Sequence, residues 1–278
     1  LKASSKRAYR ISNASQAIAI LHKAIQEAQT PPCGPVSVEI PIDIQGAKIP
    51  LSLVTAPVKP ASVSPVDAGS VNALWAQLKQ AKQPLLWLGG GALGCADAVK
   101  KLADAGITVI SSTHARGVLP DSHRGSLRAF HNSPSVEALI AQCDFTLVAG
   151  SRLRSNETRS WTLALPSPRV QVDIDPAAAS RNYLMDNTLI ADCSALLSAL
   201  ADNVQGREWG NAQWDALVQQ AVEQAGQGLR DQCGPYARLN DAIEKALPQD
   251  GLLVRDITVS GSLWGSRLFR DRKSTRLN

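Results

Sequence analysis

The sequence is poor in aromatic residues, with three Phe, three Tyr and six Trp among 278 residues, and these are not interleaved with basic side chains. That pattern excludes a base-stacking platform for single-stranded nucleic acid. No charge of one sign dominates either: 29 Lys and Arg against 24 Asp and Glu give +5. The last eight residues, "DRKSTRLN", carry Arg272, Lys273 and Arg276 against Asp271, a net +2 that leaves +3 for the rest. So even a balance argues for neither a nucleic acid partner nor an anionic membrane surface. Apolar runs approaching the roughly 18–20 residues of a membrane span are also absent. The five cysteines (Cys33, Cys95, Cys143, Cys193, Cys233) are odd in number and never in C-x-x-C spacing, which points away from a disulfide framework or zinc site and toward a reducing cytoplasm.

What is present is ordinary globular material, 44% hydrophobic and 19% charged, enough for one large or two ordinary domains. Ile18, Leu21, Ile25 and Ala28 recur at helical spacing after Asn13 or Ser15, and "VSVEI" reads as a short strand. From Pro41 to Pro65 the chain turns to Pro, Ser and Val without periodicity and reads as extended. Beyond Asp67, the short apolar strands "PLLWL", "ITVIS", "FTLVAG", "RVQVDID" and "TLIAD" alternate with helices of about ten residues; Ser133 and Asp192 stand as helix caps. This alternation predicts an α/β fold, a doubly wound parallel sheet covered on both faces, over about 67–205. A helix with Trp214, Leu217 and Ala221 follows, then one with Leu239, Ile243 and Leu247, then a strand "LLVRDITVSG".

The stretch "PLLWLGGGALG" sets an apolar strand against bare backbone. Gly89, Gly91 and Gly94 fit the dinucleotide register GxGxxG only by counting through Ala92 and Leu93, and no acidic residue closes "ITVISST" to hold a ribose. A hydride-transferring oxidoreductase is therefore disfavoured, while a nucleotide-binding module without catalysis, holding FAD, ADP or NAD over 67–205, stays open.

Taken in order, "GPVSVEIPIDIQ", "PLLWLGGGALG", "SSTHARGVLPDSH", "DFTLVAGSRL", "VQVDIDPAA", "LIADCSALLSAL" and "DGLLVRDITVSGSLWG" resemble the thiamine-diphosphate-dependent enzymes of the acetolactate synthase and benzoylformate decarboxylase superfamily. The resemblance implies residues 1–50 as the end of a pyrimidine-binding domain, 51–66 as linker, 67–205 as the complete central domain, 206–235 as a linker helix, and 236–270 as the start of a pyrophosphate-binding domain. Residues 271–278 read as a translated sequencing adapter and are set aside from fold reasoning; with Leu1 in place of Met, the natural protein is expected to extend beyond both ends. The implied activity is decarboxylation or carboligation of a 2-oxo acid by a cytoplasmic homodimer or homotetramer, with thiamine diphosphate and Mg2+ in the intact protein. The resemblance supplies no catalytic or metal-binding residue within this chain: no GDG motif occurs, the nearest being "QDG" at 249–251. Alone, the chain is expected to be inactive. "RDITVSGSLWG" leans toward the decarboxylases.

Positions matching the family's diphosphate contacts are Thr258, Val259 and Ser260. Those matching the central-domain contacts to FAD or another nucleotide are Gly90, Gly91, Ser112, Thr113, Gly150, Ser151, Arg152, Asp173, Ile174 and Asp192. Two departures weigh against a flavin: bulky Leu127, Arg128 and Phe130 in "GSLRAFHNSPS", and "RLRSNETR", where Arg154 and Ser155 replace two acids. The glycine triplet then reads as close strand-to-helix packing. His114, His123 and His131 lie in loops at spacings that fit no helix face, which opposes a metal reading. Asp173 and Asp175 read as a helix cap before a magnesium site. A triad of Ser151, His131 and Asp173 lacks a G-x-S-x-G elbow. Trp209 and Trp214 read as core residues.

Overall fold

The computed structural model describes residues 2–56, 66–206, 208–248, 251, 253–254, 256 and 260–270. It divides into two compact units, Leu1–Ser64 and Pro65–Asn278.

In the first unit, β1 (Arg7–Arg10) pairs in parallel with β2 (Val36–Glu39), Arg7 opposite Val36 and Arg10 opposite Glu39, and the intervening helix α1 (Ala17–Gln29) makes the crossover. Asn13 caps the short turn before α1, accepting from the Ser15 amide at 2.9 Å. Burial here is thin: Ile11 and Ala24 are the buried apolar residues among those described. The stretch beginning at Pro41 is not wholly extended. A one-turn helix α2 (Ile42–Gln45) forms behind Pro41, with Asp43 in its first turn and Gln45 Nε2 donating back to the Ile40 carbonyl at 2.8 Å.

The second unit is the doubly wound sheet. β3 (Pro84–Leu88), β4 (Thr108–Ser111), β5 (Phe145–Ala149), β6 (Arg169–Asp173) and β7 (Asn187–Ile190) are all parallel, in the spatial order β4-β3-β5-β6-β7. Side-chain alternation divides β3 between two cores. Leu86 and Leu88 enter the core containing Leu74 and Leu78 of α3 (Ala68–Leu78), Val99 and Leu102 of α4 (Ala96–Asp104), and Leu196 and Leu200 of α6 (Cys193–Asp202). Leu85 and Trp87 enter the other, with Val136 and Ile140 of α5 (Pro134–Ile140) and Val218 and Val222 of α7 (Ala212–Cys233). Burial on both faces explains why these strands read as continuous apolar runs.

Asp192 caps α6 by accepting from the Ser194 and Ala195 amides at 2.9 and 3.1 Å. Ser133 occupies the cap position of α5, but its hydroxyl meets that of Ser135 at 3.0 Å and caps no amide. Trp209 and Trp214 are both buried, Trp214 donating to the Thr108 hydroxyl at 2.8 Å. After α8 (Tyr236–Ala246), the expected strand is not found among the described residues: Leu253, Val254 and Asp256 are irregular, and Ser260–Leu268 is a π-helix. Residues 252, 255 and 257–259 of that expected strand lie outside the described residues.

Candidate functional site

With β3 between β4 and β5, the chain steps from β3 to β4 on one side and then crosses back to β5 on the other, so the switch point lies between the carboxyl ends of β3 and β5. The turn after β3 carries Gly90 and Gly91, that after β4 carries Ser112 and Thr113, that after β5 carries Gly150, Ser151 and Arg152, and the end of β6 carries Asp173 and Ile174. The expected nucleotide positions therefore share one edge, with Asp192 just beyond β7.

Several of their hydrogen-bonding groups are already engaged within the chain. A Cβ on Gly89 would stand 2.1 Å from the Gly150 carbonyl oxygen, and one on Gly91 2.8 Å from Gly150 Cα. Gly150 itself has φ of +60° and would meet Gly91 Cα at 2.5 Å. The bare backbone thus serves two turns pressed together, and the expected strand-to-helix packing is corrected to turn against turn. At Gly94, the third fingerprint position, a Cβ would meet nothing within 4 Å, so this glycine makes none of the close helix–strand contact the fingerprint requires. Over Gly90, the His114 Cβ would lie 3.6 Å from such a methyl group.

The polar centre of the crevice is a residue that sequence reasoning passed over. Glu157 is only 1% exposed, and its Oε1 accepts from the Thr113 amide at 3.2 Å and from Arg154 at 2.9 Å. The same Arg154 nitrogen lies 2.6 Å from His114 Nδ1. Arg152 pairs with Asp175 at 3.2 Å. Ser112 Oγ accepts from the Ala115 amide and Ser151 Oγ from the Leu153 amide, each at 3.2 Å. Gln171, buried in β6, ties Ser151 and Ala178 carbonyls to the Ser180 amide. Leu153, Arg159, Ser160 and Trp161 all adopt left-handed backbone, with φ of 46°, 50°, 55° and 65°, which few side chains other than Asn and Asp take readily. An Arg154–Glu157 pair three residues apart was the available sequence signal; nothing local marks the carboxylate as buried.

Ser151, His131 and Asp173 do not assemble into a triad. Asp173 Oδ1 accepts from the Asp175 amide at 2.9 Å and Asp175 Oδ1 from the Ala177 amide at 2.9 Å, so the pair caps a turn, not the helix expected. His131 is fully buried, its ring stacked 6.2 Å from that of Trp87, and neither ring nitrogen has a hydrogen-bond partner. Burial, reinforced by nearby Arg267, pushes its pKa down to about 4, keeping the ring neutral. His123 bridges Asp104 at 3.0 Å and the Gly125 amide at 3.1 Å. The three histidines thus have three separate surroundings, and no metal-binding cluster exists among the described residues. Thr258 and Val259 lie outside the described residues. Ser260 begins the π-helix.

Residues 71–200 match the family model for the thiamine pyrophosphate enzyme central domain. The chain is 24% identical over 258 residues to acetolactate synthase isozyme 1 large subunit of Escherichia coli (strain K12), covering 91% of this chain and 46% of that protein. It is 26% identical over 211 residues to the acetolactate synthase large subunit of Corynebacterium glutamicum, covering 72% of this chain and 33% of the relative. Against the acetolactate synthase of Mycobacterium avium it is 30% identical over 128 residues, 44% of this chain and 21% of the relative. The chain spans about half the length, or less, of the curated relatives it matches. No helix among the described residues is long and apolar enough to cross a membrane.

Proposed function

Because this chain belongs to the thiamine pyrophosphate enzymes through its central domain at residues 71–200, we propose that the whole protein is a thiamine-diphosphate-dependent decarboxylase or carboligase of 2-oxo acids. The observation that carries the reading is the family match falling on the switch-point sheet, within a likeness to an acetolactate synthase that runs over 91% of the chain. In this proposal the protein is a cytoplasmic homodimer or homotetramer. Thiamine diphosphate, when bound, supplies the electron sink for loss of carbon dioxide. The metal-binding GDG motif does not occur in this sequence, so no catalytic step is assigned to its residues. Residues 258–260 are proposed to meet the cofactor diphosphate in the whole protein.

The contribution of the present residues is a framework whose crevice is filled by its own side chains. A flavin does not fit there. The Thr113 amide and Arg154 are committed to buried Glu157, Arg152 to Asp175, and the glycine backbone to Gly150. A diphosphate would have to displace a carboxylate that is almost wholly desolvated.

Calorimetric titration of the chain with FAD, ADP and NAD tests the crevice, with no heat of binding expected for any of them. Binding of FAD alone would place the protein with flavin-holding synthases, and tight ADP or NAD binding would favour a nucleotide-binding module. The continuous protein, supplied with Mg2+, is expected to release carbon dioxide from a 2-oxo acid only when thiamine diphosphate is added. Release independent of thiamine diphosphate would refute the assignment.

A further inference from the structure

The turn after β4 feeds the crevice through Thr113 and His114, and two residues on it carries a buried arginine that the crevice does not use. Arg116 is 5% exposed and pairs with Asp121, 6% exposed, at 2.9 Å. Its guanidinium also reaches across 150 residues of sequence: one terminal nitrogen donates to the Ser266 carbonyl at 2.7 Å, and the other to the Phe269 carbonyl as well as to Asp121. These carbonyls belong to the last turn of the π-helix and the residue just after it, where backbone acceptors have no partner within the helix. A guanidinium suits the task because its donors are fixed in one plane and reach three acceptors at once. The helix is seated by apolar contact too, with Trp264 and Leu268 buried in the core shared with α5 and α7, and by the Arg270 amide donating to Glu244 at 2.7 Å.

We infer that Arg116, aimed by Asp121, is a positioning residue that fixes the Ser260–Leu268 helix and thereby sets where Ser260 stands. The inference rests on the proposed function insofar as Ser260 meets the cofactor. The clamp itself does not depend on that reading. It links the β4 turn, which enters the crevice, to the segment leading away from the diphosphate contacts, through two buried side chains and two backbone acceptors.

Hydrogen exchange on the whole chain tests the clamp without any cofactor. Arg116→Ala is expected to speed exchange of the amides at 263–269 by on the order of tenfold to a hundredfold, the loss of charge-assisted hydrogen bonds, while amides of β3 and β5 keep their wild-type rates. Added methylguanidine is expected to restore part of the protection. Arg116→Lys is expected to fail, because one ammonium cannot serve both carbonyls and Asp121. The inference is overturned by unchanged exchange at 263–269 in Arg116→Ala, by full protection in Arg116→Lys, or by equal acceleration in β3 and β5, which would make Arg116 a general core residue. In the continuous protein, Arg116→Ala is expected to raise the half-saturating thiamine diphosphate concentration by about tenfold with kcat at saturation within about twofold. A wild-type protein indifferent to thiamine diphosphate would defeat the proposed function and leave the clamp standing. A thiamine-dependent protein in which Arg116→Ala changes nothing would defeat the positioning role alone.

Discussion

Replacing Gly89 and Gly90 separately by alanine distinguishes backbone kept bare for a ligand from backbone kept bare for another turn. At Gly89 the new methyl group would lie 2.1 Å from the Gly150 carbonyl oxygen and 2.4 Å from Ser151 Cα, both main-chain atoms that cannot swing aside. Such overpacking costs about 1–3 kcal/mol or more. Parting the turns also weakens the 2.8 Å hydrogen bond from the Gly89 amide to the Ala149 carbonyl, for about 1 kcal/mol. At Gly90 the nearest atom is His114 Cβ at 3.6 Å, an ordinary contact, and φ is not positive. Alanine there is expected to be neutral, or to stabilise by about 0.4–1 kcal/mol through the unfolded chain. Urea unfolding should therefore set the two variants apart by roughly 1–2 M in midpoint, with Gly89→Ala the weaker. A Gly89→Ala variant within about 0.5 kcal/mol of wild type, or a Gly90→Ala variant that is the costlier of the two, would refute the turn-against-turn reasoning.

Three further outcomes follow from the same interior. Glu157→Gln keeps an acceptor oxygen but removes the buried charge that the Thr113 amide and Arg154 meet, and the loss of charge assistance should cost about 2 kcal/mol, seen as a melting temperature lower by about 4–8 °C. Arg154→Met leaves the buried Glu157 carboxylate without its ion-pair partner and should cost about 3 kcal/mol or more, and a cost under about 1 kcal/mol would mean that this carboxylate is not desolvated. His131 lies below its ordinary 6.5 in the folded chain, at about 4. The unfolded chain therefore takes up the proton first, so the stability this group contributes is complete above pH 6.5 and is lost as pH falls toward 4, by an amount on the order of 3 kcal/mol. Urea midpoints at pH 7.5 and 4.5 should differ less in His131→Leu than in the wild type; equal differences would show that another group governs the acid limb. Of the five thiols, Cys33 is exposed and the other four are buried, with burial pushing Cys143 up to about 12. A disulfide reagent at pH 8 is expected to consume one thiol rapidly and the rest only after denaturation, whereas two or more fast thiols would mean that a core helix opens readily.

The parallel sheet and its covering layers were legible because central strands such as β3 and β5 are buried along their whole length, and the apolar residues that decide this sit side by side in sequence. Asp192 was readable for the same reason, since a cap reaches only two or three residues. What escaped reading depends on partners brought from afar. The three glycines announce that something approaches the main chain, but Gly150 lies some sixty residues on, and only the β3–β5 pairing brings it there. Glu157 reads as a surface acid in a polar run, and becomes the hub of the crevice because a loop with four left-handed non-glycine residues folds it inward. A nucleotide fingerprint and a pair of interlocked turns make the same demand on local sequence, a chain without side chains after a strand. They differ in what occupies the space that the missing side chains leave. Here Gly150 occupies it, and the donors that would have faced a phosphate face a carboxylate of the chain itself.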